Sequence, residues 1–337
     1  MTPPKILLLL ALLTLGIAPA WAQTLKIATI APEGSSWMQD MRAGAKVIEA
    51  NTSGRVKFKF YGGGVQGNDK QVQRKMRAGQ LHGGTFTSGG MNQFHSDADL
   101  LSLPLLFDSI EEARYVREQL EPDLRQWLEE AGYVNFGFAA AGFAHMMSNK
   151  PLRTLADLDG RKIWIPEGDR AGFAALRALG VAPVVMPVTD VMTGLQTDLL
   201  DSVAVPPVGA VVFQWHTRLK YVTDTPLAYV YGALLIDRKV FERLQADDRQ
   251  VVREVMEGIY RKFDKYGVRD NEEAMQALLD SGLEQVEPAA AEVAQWRDIV
   301  SRSHTALAAR GEFNRDLLER LQALIGEYRS SSKAPGP

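Results

Sequence analysis

The chain has 337 residues, of which 46% are hydrophobic and 23% charged, with a formal net charge of −3. These fractions are typical of soluble globular proteins and exclude a disordered, collagen-like or multi-span membrane chain. The sequence has no basic excess, so we expect no nucleic-acid partner, and it has no cysteine, which excludes disulfides, thiolate metal sites and cysteine nucleophiles.

The first 22 residues have the pattern of a cleaved export signal. Lys5 precedes an apolar run over 6–17 that is shorter than a membrane span, and the sequence Ala-Trp-Ala at 20–22 provides the small residues of a cleavage site. We therefore predict a signal peptide over 1–22. An exported protein without disulfides is expected in a bacterial periplasm. A buried N-terminal helix or a retained anchor is the alternative.

The next part of the chain alternates between strand and helix patterns. Apolar alternation predicts strands over 25–30, 55–60 and 85–87. Ser36 and Gln39 form a capping-box pattern for a first helix.

A long helix is predicted further along, and Pro122 interrupts its pattern. Ser109 and Glu112 are placed to cap it, and its apolar positions recur every four residues.

The second half repeats this alternation. Strands are predicted over 134–138, 162–165, 184–186 and 229–236, with helical stretches between them. Residues 246–279 are almost wholly helical, a length of about nine turns that suits a helix tying two lobes together. This order of elements predicts α/β units around a parallel sheet. Since no flexible linker is visible, we expect two lobes joined by more than one crossover.

The sequence contains no recognisable catalytic set. Residues 62–67 satisfy G-x-G-x-x-G, but the next strand end, 85–90, lacks the acidic residue that a dinucleotide site needs. Hydrolase and zinc-protease motifs are also missing from the sequence. Glu167 and Asp169 flank a glycine at a strand end, where ligand crevices lie. We predict a binding protein without catalytic residues, metal or cofactor. A secreted enzyme is the competing class.

Residues 157–166, Asp-Leu-Asp-Gly-Arg-Lys-Ile-Trp-Ile-Pro, resemble a motif of the substrate-binding proteins of tripartite ATP-independent periplasmic (TRAP) transporters, DctP type. Residues 64–69, 103–107 and 194–201 match further family segments in the same order. The resemblance implies an α/β, two-lobed periplasmic binding protein fold (type II-like), with hinge crossovers and a long lobe-spanning helix. It also implies a small-molecule ligand between the lobes and TRAP membrane permease subunits as partners.

The resemblance also suggests how the chain divides. Lobe I is assigned residues 23–143 plus 230–275, and lobe II is assigned 144–229 plus 276–327. The remaining residues, 328–337, are expected to form a frayed tail. We expect a monomer.

In this family the ligand is usually an organic acid held by arginine, and the corresponding positions differ here. Trp164 stands where the resemblance implies an arginine, residues 142–145 contain no second arginine, and Val205 replaces an asparagine. An indole has one donor and no charge, so it cannot replace a bidentate guanidinium. We predict an apolar or aromatic ligand rather than a simple dicarboxylate. A cationic amine beside Glu167 and Trp164 is the second choice, and an organic acid held by an unusual clamp is the third.

The candidate ligand-binding residues lie at strand ends and in the turns that follow them. Core packing is the alternative for each aromatic residue, and a solvated rim position is the alternative for Glu167. The set comprises Trp164, Phe143, Val205, Pro206, Glu167, Gln66, Asn68, Ser88, Phe138, Met186 and Trp215.

Overall fold

The structure is a computed structural model that describes residues 22–332, so the predicted signal peptide lies outside the described residues except for Ala22. The strands are β1 (Gln23–Ala28), β2 (Val56–Tyr61), β3 (Gly83–Thr87), β4 (Tyr133–Asn135), β5 (Ala139–Ser148), β6 (Trp164–Pro166), β7 (Val184–Met186), β8 (Ser202–Val205), β9 (Tyr221–Thr223), β10 (Ala228–Asp237) and β11 (Glu284–Val286). The helices are α1 (Ser36–Asn51), α2 (Asp69–Arg77), α3 (Ser88–Met91), α4 (Ile110–Glu130), α5 (Arg170–Ala178), α6 (Val191–Gln196), α7 (Pro207–Val212), α8 (Arg238–Glu242), α9 (Ala246–Asp280), α10 (Ala290–Ala309) and α11 (Arg315–Ser332).

A nine-stranded sheet runs through the molecule in the order β11-β9-β5-β10-β3-β1-β2, with β4 beside β10 and β8 beside β5. The predicted α/β class is confirmed, but the sheet is mixed rather than parallel. Strands β1, β2 and β3 pair in parallel, whereas β10 runs antiparallel to both β3 and β5. The reason is that two long antiparallel strands occupy the middle of the sheet.

Of these two strands, β5 connects the two halves of the sheet. The first part of β5 pairs with β10 up to Ala144, and its last part, from His145 to Ser148, pairs with β8. We call the half with β1–β4 and β10 the first lobe. The half with β8, β9 and β11 is the second lobe, which also contains the parallel pair β6–β7, bridged to β8 through Ile163 and Ser202.

Apolar layers cover both faces of the sheet in the first lobe. Along β10, Leu234 and Ile236 point to one layer, which α1 and α9 complete, while Ala233 and Leu235 point to the opposite layer, which contains α4 and α11. This alternation is the period-two pattern of a strand buried on both faces. The second lobe has its own apolar cluster.

Helix α9 reaches both lobes, as the sequence predicts. Its 35 residues span about 52 Å at 1.5 Å per residue. Met256 is buried in the first lobe's core and Leu278 in that of the second lobe. Between them, Gly267 lies so close to β5 that an added Cβ would be 2.6 Å from the carbonyl oxygen of Ala140. The helix therefore needs glycine where it crosses the strand that joins the lobes.

The C-terminal helix differs from the sequence-based assignment. Residues 276–327 are assigned to lobe II, yet α11 packs on α4 of the first lobe, where Arg320 pairs with Asp123 over 2.6 Å. The predicted tail also begins too early, because α11 continues through Arg329, whose Nε lies 2.6 Å from the buried carboxylate of Glu112. Residues 333–337 of the tail lie outside the described residues.

Helix α4 is continuous through Pro122, so the predicted break does not occur. Leu120 and Leu124 on either side of the proline are buried, and this packing outweighs the local preference. The first helix is capped by Ser35 rather than by the predicted Ser36, since the Ser35 side chain accepts the Met38 N–H.

The Ser109 cap of α4 leads to a direct prediction. Its hydroxyl accepts the Glu112 N–H over 3.1 Å. Ser109→Ala is therefore expected to lower the free energy of unfolding by about 1 kcal/mol, as lost N-caps do. Chemical denaturation measures this loss. Ser301→Ala, within α10, is the control, and an equal effect of both substitutions would contradict a capping role.

Candidate ligand-binding site

The cleft lies between the lobes, where turns from both of them meet. The first lobe contributes the glycine-rich turn after β2 and the residues after β3. The second lobe contributes the turns after β6 and β7. An added Cβ on Gly64 would lie 2.5 Å from Thr189 Cγ2 of the opposite lobe. The two lobes are therefore in contact at this edge.

Three polar contacts cross this edge. Asn68 donates from Nδ2 to Glu167 Oε2 over 2.6 Å. Asn92 donates from Nδ2 to the carbonyl oxygen of Gly168 over 2.7 Å, and Arg170 donates to the Ser96 carbonyl over 2.9 Å. All of the second-lobe partners belong to the turn after β6 and the start of α5. The two lobes are thus joined by hydrogen bonds along this edge.

Carboxyl groups with perturbed pKa values surround these contacts. Burial, with the charge of Glu167 as the second cause, raises the pKa of Asp69 to about 6. Burial likewise raises the pKa of Asp99 to about 7, against the opposing hydrogen bond from Asn92 and the charge of Arg170. Two carboxyl groups with pKa values raised toward neutrality therefore lie beside the contact between the lobes.

Four candidate residues come together in the second lobe. Trp164 is 4% exposed, and its Nε1 donates to the Met186 carbonyl over 3.0 Å. Its ring meets that of Trp215 edge to face, with centroids 5.2 Å apart, and Val205 belongs to the same apolar cluster. The indole N–H thus already has an acceptor, and all four side chains are buried in the apolar core of the second lobe.

The other candidates are dispersed. Phe138 and Phe143 pack against tyrosines of β10, with ring centroids 6.0 Å apart in each pair. Ser88 is buried and accepts the Ser102 hydroxyl over 2.6 Å, while Gln66 accepts the Lys75 ammonium over 2.9 Å.

Pro206 is buried just before α7. Asn68 and Glu167, both predicted to face ligand, are instead bonded to each other. Ligand contact by each residue of the predicted set stays a prediction.

A buried ion pair near the lobe crossing was not predicted from the sequence. The Arg117 guanidinium of α4 donates two hydrogen bonds of 2.6 Å to Asp264 of α9, and a third of 3.2 Å to the Tyr229 hydroxyl of β10. Asp264 also accepts the Ala140 N–H of β5 over 3.3 Å. Burial acts to raise the pKa of Asp264, but the hydrogen bonds and charge of Arg117 outweigh it and hold that pKa below its usual value. The sequence gives one sign of this ion pair, the charged residue Arg117 next to the buried apolar stripe of α4.

Residues 22–332 contain neither a metal-binding cluster nor a membrane-spanning helix. Within this range, no three histidine or acidic side chains are placed to hold a metal ion. None of the helices in the described part of the chain is long and apolar enough to cross a membrane.

Comparisons with known proteins place this architecture. The model of the family described as "Bacterial extracellular solute-binding protein, family 7" (DctP) matches residues 27–310. The C4-dicarboxylate-binding periplasmic protein DctP of Rhodobacter capsulatus is 26% identical over 271 residues, which are 79% of this chain and 80% of that protein. The uncharacterized protein YiiZ of Salmonella typhimurium is 24% identical over 61% of this chain, and the match spans 63% of the length of YiiZ.

A solved structure shows the same fold. The sugar acid binding protein DctPAm of Advenella mimigardefordensis, in complex with galactonate, superposes with a TM-score of 0.84 at 19% identity, covering 91% of this chain and 99% of that one. This agreement confirms the predicted two-lobed periplasmic binding protein fold. With a family model that covers most of its length, the chain belongs to the DctP family, family 7 of the bacterial extracellular solute-binding proteins, the TRAP substrate-binding type.

Proposed function

We propose that the protein is the periplasmic solute receptor of a TRAP transporter, which captures a small molecule between its lobes and delivers it to membrane permease subunits. The observation that carries this proposal is the two-lobed architecture, joined by β5 and α9 and with hydrogen bonds across the lobe edge, in a chain of this family. Such crossings allow lobe closure around a ligand. The relatives are binding proteins, which supports a role in which the ligand leaves chemically unchanged.

For the ligand, we propose an apolar or aromatic molecule. Trp164 and Val205 occupy positions where the family resemblance implies polar anchors, and both are buried, while residues 142–145 contain no arginine. The one polar group among these side chains, the Trp164 N–H, is bonded to Met186. A carboxylate placed against this wall without a partner would lose several kcal/mol to desolvation. Apolar contact would contribute about 25 cal/mol per Å² buried.

A small organic acid is the second candidate, because two relatives point to acids. The Rhodobacter protein is named for C4-dicarboxylates, and the Advenella protein holds galactonate. In this chain an acid would have to be held by backbone amides or by basic residues outside the three anchor positions.

A thermal-shift screen separates these candidates. We expect aromatic or apolar solutes to raise the melting temperature, since a ligand that binds only the folded state stabilises it. Succinate, galactonate and simple amines serve as the comparison sets. Calorimetry measures the affinity of each hit, and mass spectrometry checks that the recovered compound is unchanged. Stabilisation by succinate or galactonate alone would reject the apolar ligand, and conversion of the bound compound would reject the receptor role.

A further inference from the structure

The two hydrogen bonds from asparagine side chains converge on one turn of the second lobe. Asn68 bonds to the side chain of Glu167 and Asn92 to the backbone of Gly168, the next residue. Asn68 is also fixed within its own lobe, because its Oδ1 caps α2 by accepting the Gln71 N–H over 2.9 Å. The amide that reaches across the cleft is thus held in position before the lobes meet.

The carboxyl group of Asp69 lies next to this contact. It lies against Gly90, where an added Cβ would be 2.1 Å from Asp69 Oδ2, and its charge interacts with Glu167 of the opposite lobe. The neighbouring contact between the lobes involves two carboxylates, Asp99 and Asp169, and one positive charge. That charge is the Arg170 guanidinium, which lies 3.6 Å from Asp99. An ionised Asp69 therefore faces a second carboxylate whenever the lobes are closed.

We propose that Asn68 and Glu167 form a latch that holds the two lobes together, and that a proton on Asp69 strengthens the latch. Asn68 and Glu167 are then positioning residues for closure, not the ligand contacts that the sequence suggests. The proposal deepens the proposed function, since it concerns how the cleft is kept shut.

The direction of the pH effect follows from the geometry. Opening the lobes separates Asp69 from the charge of Glu167, which is the second cause of its raised pKa after burial, so the pKa of Asp69 is lower in open lobes than in closed lobes, where it is about 6. Closure therefore takes up a proton. The closed form is favoured as pH falls through the raised pKa of Asp69 in closed lobes, and the rise in the closing equilibrium ends below the pKa of Asp69 in open lobes. The full shift would correspond to about a tenfold rise in the closing equilibrium between about pH 8 and about pH 5, and the part caused by Glu167 corresponds to a smaller rise.

The absence of cysteine gives a direct test. Spin labels at Lys46→Cys in α1 and Gln196→Cys in α6, both exposed, report the distance between the lobes by electron–electron resonance in ligand-free protein. We expect a closed population in the wild-type background that grows as pH falls. Asn68→Asp keeps a capping side chain for α2 but places a carboxylate against Glu167, and it should remove that population.

Two further variants separate the roles of charge and hydrogen bonding. Asp69→Asn should flatten the pH dependence of the closed population. This result would identify Asp69, and not Asp99, as the titrating group. Glu167→Gln retains an acceptor for Asn68 without the charge, so it should keep the lobes closed and likewise flatten the pH response. Gln80→Ala is the matched control, because Gln80 is an exposed amide that follows α2 in the same lobe and is not among the candidate ligand contacts.

Spin-label distances in Asn68→Asp that equal those of the wild type would overturn the latch. A wild type that is fully open at both about pH 8 and about pH 5 would overturn it as well. A pH response that survives Asp69→Asn would reject the role of its proton. All of these measurements are made without ligand. Failure to find a solute would therefore count against the proposed function and leave the latch result intact.

Discussion

Asp264→Ala is expected to lower the free energy of unfolding by about 3–5 kcal/mol, because it leaves the Arg117 guanidinium buried without its counter-charge. The Arg117 side chain is 3% exposed and that of Asp264 is 20% exposed, so water cannot take the place of the carboxylate. The substitution also removes the acceptor for the Ala140 N–H of β5. Chemical denaturation followed by circular dichroism measures the loss.

Another pair on the same helix provides the control. Arg269 and Glu273 are 62% and 70% exposed, and such pairs contribute about 0.3–0.5 kcal/mol. Glu273→Ala should therefore change stability little. Since the pKa of Asp264 is lowered in the folded protein, its contribution is present above the ordinary value of 3.8 and is lost as pH falls below it. A loss under 1 kcal/mol for Asp264→Ala would show that solvent reaches the arginine.

Trp164→Ala is expected to lower the free energy of unfolding by about 3–5 kcal/mol, as truncation of a buried tryptophan does. It would remove the edge-to-face contact with Trp215 and the hydrogen bond to Met186 that links β6 and β7. Trp164→Phe keeps a ring in place but loses that hydrogen bond. It should lower the free energy of unfolding by about 1 kcal/mol through the lost bond, with a smaller further loss from packing.

Thermal denaturation of both variants without ligand measures this effect. A Trp164→Ala protein as stable as wild type would place the indole outside the second-lobe core. If ligands then lost affinity in Trp164→Phe, the ring would be a contact surface of the cleft.

The long helix and the central strands show what the sequence could and could not reveal. Helix α9 was predicted almost to the residue, because its 35 residues contain no proline and begin with an apolar stripe at helical spacing. Strand β5, Ala-Ala-Ala-Gly-Phe-Ala-His-Met-Met-Ser, was missed because it has no β-branched residue and is rich in alanine. It is a strand because it has neighbours on both sides. That tertiary context is invisible to local patterns.

The candidate site shows the same limit. The turns that carry Asn68 and Glu167 were recognised from their motifs and positions at strand ends. That these two residues bond to each other could not be foreseen, since they are 99 positions apart and belong to different lobes. Similarly, Trp164 was identified through the family resemblance, but its acceptor depends on the β6–β7 register. Helix α11 was placed with the wrong lobe because an amphipathic helix does not specify which surface it will cover.

The shared strand β5 restricts how the lobes can move. Its first part is bonded to β10 and its last part to β8, so sliding one lobe along the strand axis would break one of the two ladders at once. Twisting is far less costly, because paired strands tolerate a range of twist angles without losing their hydrogen bonds. The register shift between Val230 and Tyr231 gives β10 a local irregularity beside this junction, where such a twist can concentrate. The lobes therefore have one soft degree of freedom, a rotation about the two central strands, and translation between them is stiff.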